Sequence, residues 1–391
     1  MKILMGNKFL IILIVLSLSL AAFLTGYLIS QKDFTKQSAN LGEGSILERF
    51  DGNQTSDGIN SSGDLFALSK RAVLSPTLSK EKTSVLYYDK NSGQVFEAGP
   101  GGLNPERNRE GPQRASVSYG MNEKLVSDKP LPNLVETIWS PNKKEVVSVF
   151  DTNNGKDFRY YNYQTNKVVG LGKTIRSLAF SPDGSHIAYL RSLGLDGAIY
   201  VSAPDGSSPR KIIETRLSDI ELSWPSEEHI SFKASLDGRD SVYLLSLTGN
   251  LTKFVDEPGK VDVLWSSGGT KLLYSTRESN PRTQGAEQSS YDGGSPMLFV
   301  KDVLSSSVKA LGISTPAYKC AWGINSNYVV CAIGRSGQGG EDIYKINMDG
   351  TKELVFSPVK NISASQVMLT GTEDFLILVN EIDGKLYALK I

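Results

Sequence analysis

Residues 175–190 read IRSLAFSPDGSHIAYL. A short strand ends on the aromatic Phe180, a Ser-Pro-Asp-Gly turn reverses the chain, and a second apolar strand follows. Pro pre-sets the backbone for such a turn, and Gly accepts the positive φ that closes it. The same order returns in residues 131–150 (LPNLVETIWSPNKKEVVSVF), 219–235 (DIELSWPSEEHISFKAS), 261–276 (VDVLWSSGGTKLLYST) and 318–333 (YKCAWGINSNYVVCAI). More worn copies stand at 74–99 (LSPTLSKEKTSVLYYDKNSGQVFEAG) and 365–380 (SQVMLTGTEDFLILVN).

The residues that end the first strand are Leu78, Trp139, Phe180, Trp224, Trp265, Trp322 and Leu369, the last six spaced by 41, 44, 41, 57 and 47. All four tryptophans of the chain occupy this position, so the repeat is not an accident of composition. Third and fourth strands complete the units, as in 198–213 (AIYVSAPDGSSPRKII) and 342–356 (DIYKINMDGTKELVF). Four strands in each repeat of roughly 40–50 residues predict an all-β propeller of four-stranded blades. Counting the copy at 74–99 gives seven blades; six remain if that segment forms something else. The last unit has room for three strands before Ile391, so residues 65–70 (LFALSK) are expected to supply its fourth. Without that strand the ring would keep an open, pairing-prone edge. The propeller is thus expected to span 65–391.

The motif FSPDGSHIAY at 180–189 closely resembles the repeat of TolB-like propellers. It is equally similar to the amino-terminal propellers of dipeptidyl-peptidase and prolyl oligopeptidase enzymes. The resemblance covers residues 70–391 and implies the fold. It implies no catalytic residue, because those peptidases place their chemistry in a following α/β-hydrolase domain. TolB carries a separate α/β domain ahead of its propeller, where this sequence has a polar stretch. The strand-end aromatics read as structural, since such a side chain packs large area between neighbouring blades.

Ahead of the repeats, residues 9–29 (FLIILIVLSLSLAAFLTGYLI) form 21 uncharged, mostly apolar residues. As a helix rising about 1.5 Å per residue, the run matches a hydrocarbon core of about 30 Å. It is longer than a signal-peptide core and lacks an A-x-A site, so an uncleaved signal anchor is expected, with a cleaved signal as the alternative. Residues 1–8, with Lys2 and Lys8, would stay cytoplasmic and the folded part would be extracytoplasmic. The lipid bilayer is then one partner, through residues 9–29. Residues 30–64 are rich in Ser, Gly, Asn and Asp and read as a flexible tether.

Charge excludes some functions. With 42 Lys+Arg against 42 Asp+Glu, there is no basic excess to neutralise nucleic-acid phosphates. No G-x-S-x-G elbow occurs, and His186 and His229 sit at similar repeat positions without a spaced Ser and carboxylate. No H-x-x-x-H, C-x-x-C or calcium-loop spacing appears, so no catalytic residue, metal or cofactor is assigned. Asn53, Asn60, Asn250 and Asn361 fit the glycosylation acceptor pattern, which matters only in a eukaryotic source.

Cys320 and Cys331 lie symmetrically about Asn325 and Ser326 in one expected hairpin. Outside the cell they are expected to form a cross-strand disulfide; two separate buried thiols are the alternative. Two insertions lengthen the repeats, at 99–119 in blade one and 277–296 in blade five. They leave opposite faces of the disc. The second shares its face with enlarged loops at 191–198, 235–240 and 334–342. Long loops on a rigid scaffold are where binding groups gather. Arg277, Arg282, Tyr291 and Arg335 are therefore the candidate partner contacts.

The expected role is a non-catalytic scaffold or receptor for a protein or an envelope polymer, anchored at the cell membrane by one pass. The alternatives are an accessory or catalytic propeller of a peptidase- or glycan-active system, and a small-molecule sensor.

Overall fold

The computed structural model describes residues 65–391, apart from 102–119, 154, 195, 278–295, 336, 338 and 360. Residues 1–8, the apolar run 9–29 and the tether 30–64 therefore lie outside the described residues, as do Arg282 and Tyr291. Among the described residues, no helix is long and apolar enough to cross a membrane.

The chain opens with β1 (Leu65–Ala67). Blade 1 holds β2 (Val73–Leu78), β3 (Val85–Asp89), β4 (Val95–Gly101) and β5 (Gly120–Ser127). Blade 2 holds β6 (Leu134–Trp139), β7 (Glu145–Thr152), β8 (Gly155–Asn162) and β9 (Lys167–Gly172). Blade 3 holds β10 (Ile175–Phe180), β11 (Ile187–Leu193), β12 (Asp196–Ser202) and β13 (Arg210–Thr215). Blade 4 holds β14 (Ile220–Ser223), β15 (His229–Leu236), β16 (Arg239–Ser246) and β17 (Leu251–Pro258). Blade 5 holds β18 (Val261–Trp265), β19 (Lys271–Arg277), β20 (Pro296–Asp302) and β21 (Val308–Ser314). Blade 6 holds β22 (Cys320–Trp322), β23 (Tyr328–Gly334), β24 (Glu341–Asn347) and β25 (Lys352–Phe356). Blade 7 joins β26 (Ala364–Leu369), β27 (Phe375–Asn380) and β28 (Leu386–Lys390) to β1. The fold is an all-β propeller of seven four-stranded antiparallel blades; the six-bladed count is excluded.

Closure uses both ends of the propeller. β1 pairs with β28 through Leu65↔Leu389, Phe66↔Ala388 and Ala67↔Tyr387. The Leu68 amide donates to the Leu386 carbonyl at 2.8 Å, and the Leu386 amide to Ser69 Oγ at 2.9 Å. Arg71, just beyond, then grips blade 1. It pairs with Asp89 at 3.4 Å and Glu123 at 3.5 Å and lies 4.1 Å over the Phe96 ring. A three-residue edge strand is thus held from two sides.

The core lies in the seams between blades. Each second strand is flanked by sheet on both sides and by a neighbouring blade on both faces, so it reads as a continuous apolar run. Residues 146–150, 272–276 and Phe375–Asn380 are all buried. Successive side chains enter opposite seams: Leu272 and Tyr274 pack toward blade 4, Leu273 toward blade 6. The seam between blades 1 and 2 is aromatic instead, with Trp139 against Tyr88 at 5.4 Å and Tyr163 at 6.0 Å.

The strand-end residues join these seams. The Trp139 indole donates to the Ser75 carbonyl and the Trp322 indole to the Leu264 carbonyl, each at 3.1 Å and each in the preceding blade. Among the described residues, the buried indole N–H groups of Trp224 and Trp265 find no hydrogen-bond partner.

One row repeats across the blades. Second- and third-strand residues stand directly opposite as Tyr87↔Phe96, Tyr189↔Tyr200, Phe232↔Tyr243 and Tyr274↔Phe299. All four pairs are stacked, with ring centroids 4.9–5.9 Å apart. In blades 1 to 6 the register with the fourth strand shifts beside this row, a bulge that adds local twist. Blade 6 places Cys331↔Tyr344 there.

Candidate functional site

Turns between first and second strands leave one face of the disc. The loops between second and third strands leave the other, together with the connections between blades. On that second face a cleft of about 980 Å³ opens between blades 5 and 6. One wall is the end of β21, Gly312–Ser314, running into Thr315 and Pro316; Arg277 and Pro296 stand at the mouth of the long blade-5 loop. The other wall is Ile333, Arg335, Asp342, Tyr344, Lys352 and Ser357 of blade 6.

The floor is a structural ion pair. Lys319, next to Cys320, bonds Glu341 Oε1, and the two side chains are only 13% and 8% exposed. Buried charges demand such compensation. The second carboxylate oxygen, Oε2, accepts the Ala364 amide of blade 7 at 2.7 Å. Asp240 of blade 4 does the same for the Val261 amide of blade 5, at 2.8 Å. These carboxylates are latches between blades.

Arg335 is also engaged. Its Nε meets Asp342 Oδ1 at 2.6 Å, and Nη2 donates to Ser357 Oγ at 3.3 Å and the Pro358 carbonyl at 2.5 Å. Ser357 closes the loop by donating to Asp342 at 2.7 Å. The guanidinium therefore shapes the wall more than it offers itself to a partner. Arg277 is exposed and bonds no described residue. Lys352 is exposed too, its Nζ 5.4 Å from the Tyr344 ring centroid. With both ion pairs neutral, Arg277 and Lys352 leave the described lining of the cleft two positive charges in excess.

Beneath the blade-6 wall Cys320 and Cys331 are joined, buried and cross-strand, with S–S 2.08 Å. Both face the blade-5 seam. The sulfurs fill the place that an aromatic ring takes in blades 1, 3, 4 and 5.

Of the candidate contacts, Arg277 and Arg335 line one cleft. The seven strand-end residues sit at the turn ends of innermost strands, Trp224 one residue past β14, in the blade seams rather than at the cleft, apart from a seam shared by Trp322. His186 Nδ1 lies 2.7 Å from Ser185 Oγ, but Asp183 receives the Ser181 and Ser185 hydroxyls, not the imidazole. Those hydroxyls bring the Asp183 pKa down to about 2 and hold the Pro-Asp-Gly turn. No Ser-His-Asp relay is built there. Among the described residues, no three His, Cys, Asp or Glu side chains converge as metal ligands would.

Sequence reasoning passed over Lys319, Glu341, Asp342, Tyr344 and Lys352. One signal was available: the second strand of the blade-6 repeat carries Cys331 nine residues past Trp322, where Tyr87, Tyr189 and Tyr274 stand nine past Leu78, Phe180 and Trp265.

No protein-family model matches the chain, and no curated protein matches it. Solved structures do. An oligogalacturonate lyase in complex with manganese is similar over 86% of this chain and 96% of its own, at 12% identity and a TM-score of 0.56. Virginiamycin B lyase from Staphylococcus aureus is similar over 84% and 99%, at 12% identity and 0.52. TolB from Acinetobacter baumannii is similar over 72% of this chain and 62% of its own, at 15% identity and 0.44. At such identities the likeness concerns the fold alone, and the TolB-like propeller resemblance stands at that level.

Proposed function

We propose that the protein is a non-catalytic scaffold or receptor, anchored in the cell membrane by residues 9–29, with its propeller on the extracytoplasmic side. It holds a protein or an envelope polymer on the face where blades 5 and 6 meet. The observation that carries this reading is the cleft itself. It is open, polar and locally cationic in a chain of balanced charge, and it adjoins the longest second-to-third-strand insertion. Rigid blade walls with exposed Arg277, Tyr318 and Lys352 suit recognition of a partner. The tether at 30–64 gives such a receptor reach.

Crosslinking in native membranes tests it. A reproducible partner should be captured by the full chain and lost with the 278–295 deletion or Arg277→Glu. Capture unchanged by both variants, or full release of the protein by alkaline carbonate, contradicts the reading.

A further inference from the structure

Tyr344 is the half-buried member of a broken stack. Its counterparts Phe96, Tyr200, Tyr243 and Phe299 each lie against a ring on the neighbouring strand. Opposite Tyr344 stands Cys331, tied down to Cys320 and fully buried. Tyr344 stacks on no described ring, and its hydroxyl makes no hydrogen bond to a described residue. The ring lines the cleft, with Lys352 at 5.4 Å and Arg277 across the groove. Tyr318, 44% exposed, stands on the same wall as Thr315 and Pro316.

We propose that this cleft binds an acidic polysaccharide, a sugar ring packing on Tyr344 while sugar carboxylates meet Arg277 and Lys352. The inference deepens the receptor reading and rests on it, by naming the chemistry of the partner. An aromatic face offers apolar area and a negative quadrupole to the C–H face of a pyranose, while its edge stays wet. Exposed cations reward carboxylates and give salt-sensitive binding. The groove is open at its rim, where exposed Ser314 offers a hydroxyl to a sugar, while the Thr315 and Ser357 hydroxyls are held by the Ala332 carbonyl and Asp342. An acidic peptide would satisfy the cations but leave the ring face unused.

The test is calorimetric titration of the full chain in detergent micelles with a hexa-uronate. The other probes are a neutral glucan hexamer, hexa-aspartate and a poly(glycerol phosphate) of equal charge. Hexa-uronate should bind best, with affinity falling as salt rises. Tyr344→Phe should stay within about twofold, Tyr344→Leu should lose tenfold or more, and Lys352→Gln and Arg277→Gln should each lose several-fold and flatten the salt dependence. Melting temperatures of the variants keep folding separate from binding, and Lys352→Gln changes an exposed side chain. Equal binding of the neutral glucan, of hexa-aspartate or of the phosphate polymer overturns the proposal, as does an unchanged Tyr344→Leu. If uronate fails while membranes still yield a loop-dependent crosslinked partner, the acidic-sugar inference falls and the receptor reading stands.

Discussion

In blade 5 the row facing blade 4 is Val263, Tyr274 and Phe299; in blade 6 the matching row facing blade 5 is Cys320, Cys331 and Tyr344. Blade 5 closes its seam with two stacked rings whose centroids are 5.3 Å apart. Blade 6 replaces the inner ring with a disulfide, a shorter filling that ties first strand to second and leaves the third-strand ring facing a cleft. The repeat therefore preserves the shape of the seam rather than any residue.

The largest effect should separate the two rings. Tyr274→Ala removes a side chain 3% exposed and should cost about 3–5 kcal/mol in urea unfolding, the range for large-to-small core changes. Tyr344→Ala should cost less, about 2 kcal/mol, since Tyr344 is only half-buried. Equal costs would break the comparison.

The disulfide comes next. Cys320→Ala with Cys331→Ala should lower unfolding free energy by about 3 kcal/mol, through the denatured chain's regained freedom across an 11-residue separation. Reductant on the unsubstituted protein should move the same midpoint in the same direction, and no shift would show the bond to be idle.

A smaller difference lies in the strand-end tryptophans of these blades. Trp322→Phe loses the hydrogen bond to Leu264, whereas Trp265→Phe removes a buried donor without a partner. Trp322→Phe should therefore be the more costly by about 1 kcal/mol. The reverse order would place the Trp322 bond outside the energetics of the seam.

The mildest effect is pH. Burial, then the charge and hydrogen bond of Glu257, push the Tyr274 hydroxyl up to about 12. Its folded pKa thus exceeds its unfolded value of about 10, so the folded state keeps a proton that the unfolded state sheds. That contribution is whole below pH 10 and fades between pH 10 and 12. Tyr274→Phe should flatten the alkaline limb of a stability-against-pH curve in that window, and an unchanged limb would deny the shift.

The blades were legible because their signals are local. An aromatic beside a Pro-Asp-Gly or Ser-Gly-Gly turn marks a strand end wherever it falls, and even the worn copies around Leu78 and Leu369 kept their apolar runs. The pairing of β1 with β28 could be reasoned from the missing fourth strand, since an open edge is costly. The cleft was less legible. Arg277 and Arg335 were reached through loop length, which says where a chain is long but not which groups are free. That Arg335 is spent on Asp342, Ser357 and Pro358 depends on a register between strands and a connection more than 20 residues on. Lys319 and Glu341 meet across a blade, and Tyr344 lacks a stacked ring because Cys331 stands opposite it. Each is a relation between repeats rather than a motif within one.

Refilling the row is the most direct test. Cys320→Val with Cys331→Tyr gives blade 6 the Val-Tyr pair of blade 5 and a ring to cover Tyr344. Titration with hexa-uronate should then show affinity falling tenfold or more, with the melting temperature kept within a few degrees. Undiminished uronate affinity in a folded protein carrying that filled row would contradict the account.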